Sequence, residues 1–496
     1  MDDNYIPTDI KTLGALKSSG YYKGLRPESV KDEMRRNLLV RLKRGEEVFP
    51  GILGYDRSVI PQLKNAILGR HDILLLGLRG QAKSRIIRLL PQLLDEYVPV
   101  VAGSELNDDP RKLVSKYARE LYKEHGDEMP IVWRHRSERY AEKLATPDTS
   151  IADLIGDIDP IKAAQKRLTY ADEEIIHFGI IPRTNRGVFA INELPDLQAR
   201  IQVGLLNILE EQDIQIRGFN IRFSLDLMMV FSANPEDYTN RGNIITPLKD
   251  RIDSQVLTHY PKKLDTAIAI TRQEAWQDRD HTPSVTVPDF IREIIEVIAF
   301  EARASEYVDQ KSGVSARMTR SALETVISNA ERRAISHGMK HVYVRISDLY
   351  YIDAAITGKI ELVYEGEQEG PQKVARLLLG RAVRMIFAKH FPDPSSKGED
   401  RGVYRHILGW FADGNTLTLD PELQDEAYRR RLRSIPGLIE LVKKAKHRIP
   451  TKQRWIFSEL ILEGLYQTSM LGKEEYTYSD MIGSVFGSLG PEEEEE

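Results

Sequence analysis

Between Phe49 and Pro261, short apolar runs alternate with longer amphipathic stretches. The runs Asp72–Leu76, Val98–Ala102, Gly187–Ile191, Leu227–Ala233 and Gln255–His259 are mostly unbroken apolar sequence. That pattern predicts strands of a parallel sheet buried on both faces. Stretches with helical periodicity lie between them, including Ser84–Glu96 and Ile201–Glu211, so the expected class is α/β with crossover helices. After Pro261 the strand signal fades. Helices are predicted over Phe290–Tyr307 and Thr319–Gly338, then a short strand in HVYVR (341–345) and a helix over Ser347–Gly358. The Gly/Glu-rich stretch Glu365–Gly370 reads as a linker, and residues 371–490 read as further helix, broken at PDPSSKGED (392–400). Residues before Phe49 read as polar, broken helix, strongly basic over Arg35–Lys43. The expected organisation is therefore an N-terminal extension (1–48), an α/β core (49–262), a helical lid (263–364), a helical C-terminal domain (371–490) and an acidic tail (491–496).

Composition sharpens this picture in three ways. The 496 residues allow about three domains at roughly 100–200 residues each. The formal net charge of -5 argues against a protein that binds nucleic acid mainly through phosphates. The absence of cysteine excludes disulfides, thiol nucleophiles and Cys-ligated metal centres, and fits a cytoplasmic protein. The opening MDDNYIPTDIKTLG lacks the basic and apolar regions of a secretory signal. No apolar run approaches the roughly 20 residues a membrane helix needs.

The segment DILLLGLRGQAKSRIIRLL carries the clearest chemistry: an apolar strand, a glycine-containing turn and an amphipathic helix. Its centre, from Gly77 to Ser84, nearly fits G-x-x-x-x-G-K-[ST], a loop whose backbone N–H groups surround phosphates. Lys83 would reach the β/γ-phosphates of ATP, and the Ser84 hydroxyl would ligate Mg²⁺. Gly77, Arg79, Gly80, Gln81, Ala82, Lys83, Ser84 and Arg85 are the candidate nucleotide-binding residues. Ala82 stands where the last glycine is expected, which predicts an ordinary backbone conformation there, because alanine resists positive φ.

A second apolar strand, GVFAINEL (187–194), ends in Asn192-Glu193. Asp-Glu is the usual pair at such a place: the aspartate holds the metal shell and the glutamate polarises the attacking water. Here Glu193 is the candidate base, and Asn192 is an amide in the metal-shell position; a helix cap is the plainer reading of Asn192. The strand LMMVFSANPE (227–236) places Asn234 where a polar side chain can orient water beside the γ-phosphate. ITPLKDRID places Arg251 in a polar segment before the last strand, a candidate arginine finger for a neighbouring subunit. Arg317 precedes a predicted helix.

Taken in order, these segments resemble an AAA+ ATPase of the clade of magnesium chelatase motor subunits and MoxR proteins. The resemblance covers roughly residues 49–360 and rests on GLRGQAKS, VPVVAGSELNDDP, TSIADLIGDIDPIKAA, IIPRTNRGVFAINELPDL, FSANPED and ITPLKDRI. It implies Asn234 as sensor 1, Arg251 as arginine finger, Arg317 as sensor 2, and Gly54 and Tyr55 as contacts to the adenine base. It also implies a helix-2 insert around Asp153–Arg186 and a hairpin before sensor 1. Ile214, Ile216, Ile221 and Phe223 alternate on either side of the turn from Arg217 to Asn220, which suits a hairpin. The implied function is a motor ATPase in a homo-oligomeric, hexameric ring that remodels a von Willebrand A-type partner, in metal insertion or enzyme maturation. Two alternatives stand beside it. One is a nucleotide-gated scaffold with little hydrolysis, which Asn192 keeps open. The other is an activator of the alternative sigma factor, against which the missing GAFTGA loop argues.

Overall fold

Ile73–Leu76 (β1) is buried at every position, so neither face of this strand meets water. In the computed structural model it is the second strand of a five-stranded parallel sheet. The other strands are Tyr140–Leu144 (β2), Gly187–Asn192 (β3), Leu227–Ala233 (β4) and Ser254–Leu257 (β5), and the order across the sheet is β5-β1-β4-β3-β2. The structure describes residues 9–19, 21, 28–159, 173–216, 222–235, 243–279, 283–394, 402–445, 447 and 449–481.

Alternate residues of each strand feed two different cores, as the two-residue period of a strand requires. Leu74, Leu76, Phe189, Ile191, Met229 and Phe231 pack on one face. Ile73, Leu75, Val188, Ala190, Val230 and Val256 pack on the other, against Ile86 and Ile87 of the helix Lys83–Leu89. The protein is thus α/β in its first part, with helices packed on a parallel sheet.

Two strand expectations change. Tyr97–Val101 is a strand, but it pairs antiparallel with Ile131–His135 in a separate ribbon rather than joining the main sheet. The outer position beside β3 belongs to β2, whose sequence Tyr-Ala-Glu-Lys-Leu is only partly buried. An outer strand has one covered edge and mixed surroundings, so it carries no apolar run to betray it. The helix expected over Ser84–Glu96 stops at Leu89 and continues as a 3₁₀ turn, Leu90–Leu93, in which Pro91 supplies no N–H for an α-helical bond.

Within the expected insert, Gly156–Ile158 pairs antiparallel with Ile176–Phe178, while residues 160–172 lie outside the described residues. Of the expected hairpin, Asp213–Gln215 pairs antiparallel with Arg222–Ser224; its turn and Ile221 lie outside the described residues.

The chain divides into two compact units, Met1–His259 and Tyr260–Glu496. The second is helical, built around Asp289–Ala304, Arg317–Ser336, Pro371–His390 and Arg454–Gln467. Its hydrophobic residues from Val287 to Tyr478 form one core, shared by the segments expected as lid and as C-terminal domain. The stretch Glu365–Gly370, expected as linker, falls mostly in a short helix, Tyr364–Glu369, that ends at Gly370 (φ 87°), where Pro371 opens the next helix. A small antiparallel sheet of Leu417–Thr418, Gly472–Glu474 and Thr477–Ser479, absent from the sequence reading, closes this unit. No helix among the described residues is long and apolar enough to cross a membrane.

Candidate functional site

The chain leaves β1 through Gly77, whose N–H donates to the Ala233 carbonyl at the end of β4 (3.2 Å). A Cβ on Gly77 would lie 1.8 Å from Thr258 Oγ1 and 2.4 Å from Gln81 Oε1, so only glycine fits. The Thr258 hydroxyl donates to Gln81 Oε1 (2.7 Å) and ties the loop to the strand β5 that it follows. Gly80 turns the loop at φ 74°. Ala82 then adopts φ 60°, ψ 15°, a left-handed conformation, contrary to the ordinary backbone expected for alanine. The fold imposes on a Cβ-bearing residue a geometry that costs about 1–2 kcal/mol.

Lys83 opens the helix. Its ammonium donates to the Gly77 carbonyl (2.5 Å) and the Leu78 carbonyl (3.2 Å), folding across the loop with only 8% of the residue exposed. Ser84, Arg79 and Arg85 are exposed beside it. Tyr55, assigned by resemblance to the adenine base, is buried. Its hydroxyl is shared between the carbonyls of Gln81 (3.0 Å) and His259 (2.8 Å), so it braces the loop from behind, while Gly54 (φ 82°) is exposed.

The neighbouring strands bring further groups to the same, C-terminal end of the sheet, the end at which ligands of parallel α/β sheets bind. Glu193 follows β3 in a left-handed conformation (φ 54°, ψ 52°). Its N–H donates to Ser232 Oγ (3.3 Å), and the Ser232 hydroxyl donates to Asn192 Oδ1 (3.1 Å). Asn192 also interacts with the Glu142 carboxylate of β2. The Arg88 guanidinium, on the helix after the loop, is the largest of the influences that hold that carboxyl below its ordinary value; the Tyr140 hydroxyl and Asn192 also contribute. Arg88 Nη2 lies 2.6 Å from Glu142 Oε1. A continuous chain of polar contacts thus runs from the loop helix through Glu142, Asn192 and Ser232 to the backbone of Glu193. Asn234, at the end of β4, is 3% exposed, and its Oδ1 has no hydrogen-bond partner among the described residues. A buried acceptor without a donor is rare and marks a place where water or a ligand completes the site.

Residues 54–55, 77–85, 192–193 and 234 therefore converge. Arg251 lies elsewhere: it ends the helix Thr246–Arg251, just before β5 begins, toward the opposite end of the sheet. Its Nε donates to Glu210 Oε2 (2.7 Å). Arg317 is exposed at the start of Arg317–Ser336 in the second unit. Thr258, Glu142 and Arg88 were not singled out from sequence, because each acts through a partner far along the chain. Ser232 lies in the quoted Asn234 segment, but its contacts to Asn192 and Glu193 are not legible there.

No family model matches the chain, and no curated protein matches it. Among solved structures, a putative ATPase from Cytophaga hutchinsonii is 16% identical over 73% of this chain and 97% of its own, with a TM-score of 0.31. The complex between subunits BchI and BchD of magnesium chelatase is 19% identical over 65% and 98%, with a TM-score of 0.33. NtrX from Brucella abortus in complex with ADP is 13% identical over 85% and 76%, with a TM-score of 0.36. At these values the likenesses are distant.

Proposed function

We propose that the chain binds and hydrolyses ATP as an AAA+ motor of the magnesium chelatase and MoxR type. The observation that carries the reading is the convergence of the Gly77–Ser84 loop with Glu193 and the unsatisfied Asn234 oxygen at one end of the sheet. On binding, Lys83 exchanges two loop carbonyls for phosphate oxygens, a stronger, charge-assisted contact. The Ser84 hydroxyl is exposed and suits a magnesium ion that arrives with the nucleotide. Ser84 would be a protein ligand of that ion, and phosphate oxygens and water would supply most of the others. When bound, Mg²⁺ neutralises charge on the phosphates. Asn192 would offer its side-chain oxygen, which also accepts from the Ser232 hydroxyl, to that shell. Glu193 takes the proton of the attacking water, and Asn234 positions that water.

Arg251, at the far end of the sheet from its own loop, suits a contact to a neighbouring subunit's nucleotide, and Arg317 keeps the sensor 2 role that the resemblance implies. A homo-oligomeric ring, hexameric by resemblance, a von Willebrand A-type partner and a cytoplasmic setting complete the reading. The scaffold reading is favoured by one observation: Asn192 supplies no charge to the metal shell.

An ATP turnover assay in Mg²⁺ decides between them. The parent should hydrolyse ATP, and Glu193→Gln should bind it while losing about 10²–10⁴-fold in turnover. Mixed Lys83→Ala and Arg251→Ala subunits should regain activity that neither has alone. A parent with no turnover at any Mg²⁺ concentration, alone or with its partner, establishes the scaffold.

A further inference from the structure

The second unit holds an open groove of about 750 Å³ that the nucleotide reading does not use. One wall is the helix Pro371–His390, which contributes Lys373, Arg376, Arg381 and Arg384. These positions recur every three to five residues, so they form a row along one side of the helix. The rest of the lining includes Tyr466 and Tyr476, Lys473, which pairs with Glu463, and one carboxylate, Glu475. The helices approach closely at the floor, where a Cβ on Gly380 would meet Gln467 Oε1 at 2.3 Å.

The charges in the row are unevenly matched. Lys373 pairs with Glu369, and Arg376 Nε lies 3.5 Å from Asp353. Arg381 and Arg384 are exposed and have no carboxylate partner among the described residues. The groove therefore asks for negative charge, and its length limits what can supply it. Eleven residues of helix separate Lys373 from Arg384, about 16 Å at 1.5 Å per residue. Five residues of extended chain span about the same distance, at about 3.3 Å each.

The chain contains one run of that kind, Glu492–Glu496. It follows Met481, the last described residue and five positions after the groove residue Tyr476, by ten intervening residues. Extended chain of that length reaches up to about 35 Å, so the tether does not limit access. We infer that this groove is a carboxylate-binding site whose occupant is the acidic segment Glu492–Glu496 of the same chain. Tethering places the segment at an effective concentration in the millimolar range, so weak ionic contacts suffice to fill the groove and to exclude other acidic ligands. Because the contacts are exposed, salt weakens them.

The test titrates a fluorescent peptide of residues 482–496 against three full-length proteins. They are the parent, a variant with each of Glu492 to Glu496 changed to Gln, and that variant with Arg381→Glu and Arg384→Glu added. The neutralised variant should bind the peptide at least about tenfold more tightly than the parent, because its own segment no longer competes. The added charge reversals should remove that gain, and so should raised salt. Both arginines are exposed, and an unchanged circular dichroism melt shows that the fold survives. Equal affinity of parent and neutralised variant overturns the inference, as does indifference to the reversals. A single-stranded oligonucleotide that binds more tightly than the peptide, and equally to parent and neutralised variant, assigns the groove to nucleic acid and also overturns it.

Discussion

Ala82 and Glu193 flank the candidate nucleotide site, and both hold a left-handed backbone that glycine would adopt freely. Residues kept in such conformations store about 1–3 kcal/mol each and persist where surrounding contacts fix them. Around Ala82 those contacts are the Tyr55 hydroxyl on Gln81 and the Thr258 hydroxyl on the Gln81 side chain. Around Glu193 the Ser232 hydroxyl receives the backbone N–H. The geometry at Ala82 has a measurable consequence. In Ala82→Gly, relief of about 1 kcal/mol of strain offsets the extra freedom of the unfolded chain, worth about 0.4–1 kcal/mol. Denaturant unfolding should find it within about 0.5 kcal/mol of the parent; an ordinary helical backbone at this position predicts a loss of about 1 kcal/mol instead. The loop itself is legible in the sequence, because its residues are contiguous and each type has a local reason. Its conformation at Ala82 is not, because the contacts that force it come from Tyr55 and Thr258, on either side of the motif and far from it along the chain.

Elements are held to the sheet by groups that periodicity does not reveal. Asp226, the residue before β4, accepts the N–H of Val30 on both carboxylate oxygens (3.0 Å each) and so ties the helix Val30–Arg44 to the sheet. Burial pushes its carboxyl up to about 6 from an ordinary 3.8. Between those values the folded chain keeps a proton that the unfolded chain has released, so this group's contribution to stability falls as pH rises through the window. The loss is complete above about pH 6 and amounts to up to about 3 kcal/mol, at 1.36 kcal/mol per unit. Asp226→Asn keeps an acceptor for Val30 and removes the charge. It should match the parent below about pH 4 and exceed its unfolding free energy by about 1–2 kcal/mol at pH 8. Stability curves that run parallel from pH 4 to 8 contradict this. The same scale shows why β2 escaped the sequence reading. Glu142 and Lys143 sit in an outer strand whose fit depends on Arg88 and Tyr140 rather than on apolar burial. Val98–Ala102, by contrast, looks like a sheet strand because it is apolar, yet its partner is Ile131–His135.

At the scale of the whole molecule, the core of each unit is built by different means. The first organises its cores around the sheet. The second buries charge along with its apolar residues. Arg333 and Asp348 pair with no side-chain exposure at 2.5 Å, and Lys473 pairs with Glu463 at 2.7 Å. Such pairs look like surface residues in sequence, so the helices of the second unit are legible while the way they share one core is not. The α/β unit is more transparent, because strand, loop and helix follow one another with chemistry at the joins. Everything proposed for function depends on that unit gripping a nucleotide through its loop. The most direct measurement is equilibrium binding of ATP with Mg²⁺ by the parent and by Lys83→Ala, which leaves the loop glycines and the Gln81 brace in place. The parent should bind, and the variant should lose at least about 100-fold in affinity, about 2.7 kcal/mol. Equal binding by the two proteins would contradict this.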